Sequence, residues 1–215
     1  MRFLAIDAAC ATCSIAILAD DRVVATRLAE SSRGAASSLP SMVADALAAS
    51  PGKVDAVAVS VGPGSFTGLR AALSLAHGLA LGFAVPLVGV SVAEALADAA
   101  GDLAGRALWV ALDNRRGRLF LDRGGLLTAV TLTALPMPHG PVAVGGDAAV
   151  AVAARLAACG WDVLLTPARQ PHAVGVGRAA LRRVRGELPP LPAIPLYVDP
   201  PEARLPAGGL RPAPA

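Results

Sequence analysis

Lysine is nearly missing from this chain. Lys53 is the one copy among 19 basic residues, and the other 18 are arginine. No lysine follows a glycine-rich turn, which excludes the Walker pattern, whose lysine meets the β- and γ-phosphates. The arginine excess reads as genomic base composition rather than as a binding signal. Histidine and cysteine are scarce too, with three of each. His77, His139 and His172 fall in different predicted elements, so no metal site is expected. Cys10 and Cys13 form a C-x-x-C and Cys159 stands alone, whereas a zinc site needs a second ligand pair. The pair falls between two predicted strands and not at the start of a helix, so both are read as small packing residues in a reducing cytosol. Charged residues make up 16% and hydrophobic ones 54%, which supplies a core and argues against disorder except at the C-terminal end. The net charge of +3 permits contact with nucleic acid without arguing for it.

No targeting segment is read at the start, where Asp7 interrupts a short apolar run. Ala71–Val90 carries no formal charge over about 20 residues, a length that could span a bilayer. Its glycines, Ser74, His77 and Pro86 argue instead for a buried helix, a turn and a strand. The chain is expected to be soluble and cytoplasmic, with no membrane partner.

What is present is pattern. Phe3–Ile6 reads as a buried strand closed by Asp7, Ser14–Leu18 as a second and Arg22–Leu28 as a third, joined into an antiparallel meander. A helix follows at Leu39–Ala49, with Pro40 in its first turn and a stripe of Leu39, Met42, Val43, Ala46 and Leu47. Then come a strand at Val54–Val61, a helix at Phe66–Phe83, a strand at Leu87–Val90 and a helix at Val92–Ala99. The second half restarts in the same style. Strands are expected at Ala107–Leu112, Arg118–Asp122, Leu126–Leu132, Val142–Val144 and Trp161–Leu165, and helices at Ala148–Ala158 and Ala173–Val184. The plan is an α/β fold of duplicated β-β-β-α-β-α units, the second reduced. The lobes are placed at residues 1–102 and 103–187, followed by a proline-rich extended tail at 188–215.

This plan, with an aspartate closing the first strand, resembles the actin, hexokinase and Hsp70-like (ribonuclease H-like) fold. The segments LAIDAACATCSIAI, VSVGPGSFTGLRAALSLAHGLALG, PLVGVSVAEALA, ALDNRRGRLF and PLYVDPPEAR resemble, in order, those of the TsaB (YeaZ) family. The likeness covers about residues 1–121 and then thins to the Tyr197 segment; GPGSFTG-x-R is its most specific block. It implies a catalytically silent subunit in threonylcarbamoyl-adenosine formation on tRNA. The partners implied are a TsaD-like catalytic subunit, of which TsaB is a paralogue, and a TsaE-like ATPase, with tRNA engaged indirectly.

Tested residue by residue, the chemistry is thin. Catalytic relatives carry two histidines four apart on the first helix, but residues 33–39 hold neither histidine nor carboxylate. Asp7 occupies the position that holds magnesium or water in an actin-like site, yet Ala8, Ala9 and Cys10 follow it where the family has threonines. Thr12 and Ser14 remain. Asp7 and Thr12 are therefore the nucleotide candidates, with capping of the turn's amides the plainer role for Asp7. No cofactor is expected to be required by the chain alone, and ATP or ADP would sit at the interface of a complex.

The GPGSFTGLR loop fails the dinucleotide spacing as well, because three residues separate its last two glycines. It still supplies φ freedom and a helix N-terminus, with Ser65 as N-cap. Along the next helix Ser74, Gly78 and Gly82 recur every four residues, and Leu69, Leu73, Ala76 and Ala80 form a separate apolar stripe. A helix apolar on two sides is buried on two sides, against its own sheet or against a partner. The candidate partner interface is Gly64, Ser65, Phe66, Thr67, Arg70, Ser74, His77, Gly78 and Leu81, together with Met42. Arginines 115, 116 and 118, and 178, 182, 183 and 185, read as solvated clusters that could touch phosphate. No catalytic residue is assigned. The expected function is a non-catalytic partner subunit that pairs with itself when alone. The alternatives are an actin-fold small-molecule kinase or ATPase, and an M22-type glycoprotease.

Overall fold

A computed structural model describes residues 1–30 and 35–198. Ten strands and five α-helices lie among these residues: β1 Arg2–Asp7, β2 Thr12–Ala19, β3 Arg22–Glu30, α1 Leu39–Ala49, β4 Ala56–Gly62, α2 Phe66–Phe83, β5 Leu87–Ser91, α3 Val92–Ala97, β6 Ala107–Asp113, β7 Leu119–Arg123, β8 Leu126–Val130, β9 Val142–Gly145, α4 Ala149–Ala158, β10 Val163–Leu165 and α5 Ala173–Val184. Two five-stranded sheets result, ordered β3-β2-β1-β4-β5 and β10-β9-β6-β7-β8. Read from the other edge, the second order repeats the first: an antiparallel meander of three strands, then two parallel strands. The duplication expected from the sequence is present, and so is the reduction. Where α1 follows the first meander, the second has only a 3-10 turn at Leu132–Ala134.

The central strands read as they do because both of their faces are covered. Every residue of β4 is buried, including Ser60. The outer strand β3 is largely half-buried or exposed. On one face of the first sheet, Leu4, Ile6, Ile15, Val57 and Val59 meet α1 and α2 through Leu39, Val43, Ala72 and Ala76. On the other, Phe3, Ala5, Ala16, Ala56 and Ala58 meet α5 through Ala173, Val176 and Ala180. In the second lobe, Trp109, Ala111, Leu121 and Val144 pack under α4 through Val152 and Leu156. The lobes meet through a fourth apolar cluster that includes Ala9, Leu69, Leu96, Val110 and Leu112.

One expectation from the sequence is corrected. The helix at Ala173–Val184, read as part of the second lobe, packs on the first sheet, against β1, β2, β4 and β5. Small residues on both sides explain the fit. A Cβ at Gly177 would overlap the Leu18 side chain, and one at Gly175 would overlap the carbonyl oxygen of Ala95 on α3.

The chain then turns back as a strap. Leu188 packs with the α5 face of the sheet, whereas Leu191, Ala193 and Leu196 pack with the α2 face. The crossing passes edge strand β5, where a Cβ at Gly89 would meet the carbonyl oxygen of Pro192. Arg183, almost fully buried, pins the turn: it donates to Pro189 O and Gly89 O (2.7 Å each) and to the Glu94 carboxylate. Glu94 also accepts from the Ser91 amide in the capping box of α3. The Leu196 amide closes the strap on Val61 O at 2.8 Å. The segment bends at residues 193–194, where Ile194 N donates to Pro192 O at 2.9 Å, and it runs beside edge strand β5. The remainder of that tail, from residue 199, lies outside the described residues.

Two helical glycines should respond to alanine with opposite signs. Nothing lies within 4 Å of a Cβ at Gly78, so Gly78→Ala gains helix propensity and should stabilise the chain by about 1 kcal/mol. Gly175→Ala forces α3 and α5 apart and should destabilise it by about 1–3 kcal/mol. Urea denaturation of both variants checks the pair of signs.

Candidate functional site

The loop Gly62–Gly68 lies against the turn between β1 and β2. A Cβ at Gly64 would overlap the carbonyl oxygen of Ala9, and one at Gly68 that of Ala8. Gly62 has φ +107°, a left-handed value that L side chains rarely adopt. The glycines thus serve backbone-to-backbone contact. Two of the loop's amides are engaged inside the chain: Ser65 N donates to Ala9 O at 2.6 Å and Gly68 N to Ser65 Oγ at 3.3 Å. That second bond is the N-cap of α2 that the sequence predicted.

Beneath this turn lies a polar group. Strand alternation puts Asp7, Thr12, Ser14 and Ser60 on the face of the first sheet that carries α5. Ser14 Oγ accepts from Ala173 N at 2.9 Å, in the first turn of α5, and His172 caps that helix through Nδ1. Asp7 is fully buried. Its Oδ1 accepts only a long bond of 3.4 Å from Ala9 N, and Oδ2 has no hydrogen-bond partner. Ser60 Oγ and Thr12 Oγ1 are likewise buried and unpaired. Burial pushes the Asp7 carboxyl up to about 6, with the nearby Ser60 hydroxyl and the Ala9 amide pulling the other way.

Of the two nucleotide candidates, Asp7 is fully buried and Thr12 is half-buried with its Oγ1 covered. Ala9 and Cys10 of the same turn enter the apolar cluster between the lobes, and Ala11 N donates to Gln170 Oε1 at 3.1 Å. Cys13 belongs to the core, and Cys10 lines the interlobe cluster. Burial pushes the Cys10 thiol well up, and the Asp7 and Asp147 carboxylates add to the effect. That is the packing role expected of the pair. Among the described residues no three His, Cys, Asp or Glu side chains are arranged to hold a metal ion.

The partner candidates fare differently. Ser65, Phe66, Thr67, Arg70, Ser74, His77, Gly78 and Leu81 are all exposed, Leu81 at 83%. The helix sets its other stripe, Leu69, Ala72, Leu73, Ala76 and Ala80, into the core. The small-residue side is thus not spent on the chain's own sheet, and Gly78 and Gly82 face open space. Met42 is a correction: it points into the core beneath α1 and is only 8% exposed, because it shares the stripe of Leu39, Val43 and Ala46. Gly64 is half-buried against Ala9 and offers little to a partner.

The arginine clusters do not act as units. Arg178 pairs with Asp98 and Asp21, Arg182 with Glu187, and Arg183 is the buried pin of the strap. At the β6–β7 turn, Arg118 donates to Ala129 O. Sequence reasoning missed the strap's approach to α2. Tyr197 Oη accepts from Arg70 Nε at 3.1 Å, and His77 Nε2 lies 3.0 Å from Ala193 O. The resemblance of the Tyr197 segment was the available signal, but no periodicity links it to a helix more than 100 residues earlier.

The model of the family described as "TsaD: tRNA N6-adenosine threonylcarbamoyltransferase" matches residues 29–156. No curated protein matches the chain. Among solved structures, YeaZ from Pseudomonas aeruginosa is 24% identical with a TM-score of 0.74, covering 91% of this chain and 99% of its own. A second structure, of an uncharacterized protein with similarity to peptidase YEAZ from Pseudomonas aeruginosa, gives 24% and 0.75, covering 92% and 99%. Likeness at that identity establishes the shared α/β fold.

The buried carboxyl makes a signed prediction. Its folded value lies above the ordinary 3.8, so keeping it from ionising adds no cost below about pH 4. The cost grows between pH 4 and 6 and levels off above 6 at about 3 kcal/mol. Asp7→Asn should therefore be more stable than the native chain at pH 8, with the difference narrowing as pH falls to 4. Thermal melts across that range check it, and a constant difference would contradict it.

Proposed function

The chain belongs to the TsaD family of tRNA N6-adenosine threonylcarbamoyltransferases, and from that premise we propose that it is a non-catalytic partner subunit. It binds and activates a TsaD-like catalytic subunit for threonylcarbamoyl transfer to the adenosine beside the tRNA anticodon. The observation that carries this reading is the outer side of α2. An 18-residue helix leaves Ser74, Gly78 and Gly82 open along one side, flanked by exposed Leu81, while its other stripe satisfies the core. Open glycines allow a second helix to approach closely, and an exposed leucine rewards it with buried area. The closed cleft over Asp7 agrees with a silent subunit. The filled joint between the lobes leaves this chain to act by shape, with any ATP or ADP held at the interface of the complex. A TsaE-like ATPase joins the pair, tRNA is engaged through the catalytic subunit, and the free chain pairs with itself through the same side.

The setting proposed is the cytoplasm. No helix of the described residues is long and apolar enough to cross a membrane.

Depletion of the protein should lower threonylcarbamoyl-adenosine in tRNA, quantified by mass spectrometry; unchanged levels would sink the reading. At residue level, Gly78→Leu places a side chain where the partner helix must come. It should weaken binding of the catalytic subunit by roughly tenfold or more while the chain stays folded. Isothermal titration beside a thermal melt separates those two effects.

A further inference from the structure

The chain has seven aromatic residues in 215, its only tyrosine among them. Two of the seven meet on the surface. The rings of Phe66 and Tyr197 stand 6.2 Å apart at 33°, and each residue is more than half exposed. Arg70 joins them, its guanidinium carbon 3.8 Å over the Phe66 ring and its Nε on the tyrosine hydroxyl. The two terminal nitrogens of Arg70 have no acceptor among the described residues. Arg70 is also the only charged side chain on α2.

This arrangement comes from opposite ends of the fold. Phe66 and Arg70 belong to the first two turns of α2, and Tyr197 arrives on the strap. The strap is tied down by Leu196 N on Val61 O and by the Arg183 pin, with Leu191, Ala193 and Leu196 set against the core. Tyr197 is thus held in place before anything binds, and so is the guanidinium that it supports. A preformed anchor loses little side-chain entropy on association. Tyrosine and arginine are also the residue types that most often dominate interface energetics.

We propose that the partner surface is composite: the chain's own strap supplies Tyr197, and the Phe66–Arg70–Tyr197 cluster seats a carboxylate of the partner protein. The proposal rests on the partner reading above. Charge selects the occupant. A lone guanidinium with two unused terminal nitrogens, on a helix with no acidic side chain, matches an Asp or Glu of a docking protein, taken as a fork-to-fork pair. The rings on either side exclude water from that pair and strengthen it.

The test uses the full-length chain and the TsaD-like catalytic subunit in isothermal titration. Arg70→Gln and Tyr197→Ala should each weaken binding at least tenfold. Tyr197→Phe keeps the ring and should lose less. The double variant should lose less than the sum of the two single losses, because both act on one guanidinium. Thermal melts and hydrogen exchange at α2 show whether each variant keeps its fold; if Tyr197→Ala loosens the strap, Arg70→Gln decides. Gly78→Leu separates the two readings. If it abolishes binding while Arg70→Gln and Tyr197→Ala bind as the native chain does, the composite anchor is overturned and the partner surface stands. If the native chain does not bind the catalytic subunit, both fall. If the variants lose affinity for tRNA and keep it for the protein, the guanidinium serves a phosphate and the proposal is overturned.

Discussion

The contact on which the rest depends is between two stretches of backbone. The carbonyls of Ala8 and Ala9 press into the space that side chains at Gly64 and Gly68 would fill. Ser65 N bonds to Ala9 O across the same junction. Three consequences follow from that proximity. The helix after the loop starts from a fixed point with its cap in place. Its inner stripe falls on the sheet in one register, which leaves the serine and glycine side outward. And Ala9 and Leu69, one from each side of the junction, both enter the apolar cluster that joins the lobes. One close approach therefore sets the aim of α2 and helps to close the cleft.

That closure has an energetic cost inside it. Asp7, Ser60 and Thr12 each bury a polar atom without a partner, which is unfavourable by roughly 1–3 kcal/mol for a neutral group. The carboxyl lessens its share by holding its proton more tightly. These groups lie under a packed joint, and the chain's exposed chemistry is on the helix and strap instead. The polar group under the turn and the outer side of α2 thus divide the first lobe between an interior that is shut and a surface that is open.

Most of the fold was legible because the apolar patterns are strong. Strands such as Phe3–Ile6 and Val54–Val61 are nearly all apolar, and helix ends were marked by Ser65 and by the glycine-rich turns, so boundaries came within a few residues. The two-stripe pattern of α2 likewise separated an inner side from an outer one. What could not be read was long-range partnership. The alanine-rich face of residues 173–184 announces a helix but not the sheet beneath it, since small residues fit any close-packed surface. Met42 was misplaced for a related reason: a stripe position tells which side of a helix is apolar, not whether the chain itself or a partner covers it. The strap carried no periodicity at all. Its order comes from single contacts, such as Gly89 against Pro192, that pattern does not encode.

The route of the chain's end bears on the order in which it can fold during synthesis. The first sheet is complete in sequence by Ser91, yet one of its faces waits for α5 and its open edge waits for the strap. Both emerge from the ribosome only after the whole second lobe, several seconds later at ordinary rates of elongation. Until then Phe3, Val88 and Val90 have only the short α3, through Ala95, on their side of the sheet. The N-terminal lobe is therefore a late product of translation, finished by α5 and the strap, and a ribosome that stops between the lobes leaves behind a sheet with one side largely uncovered.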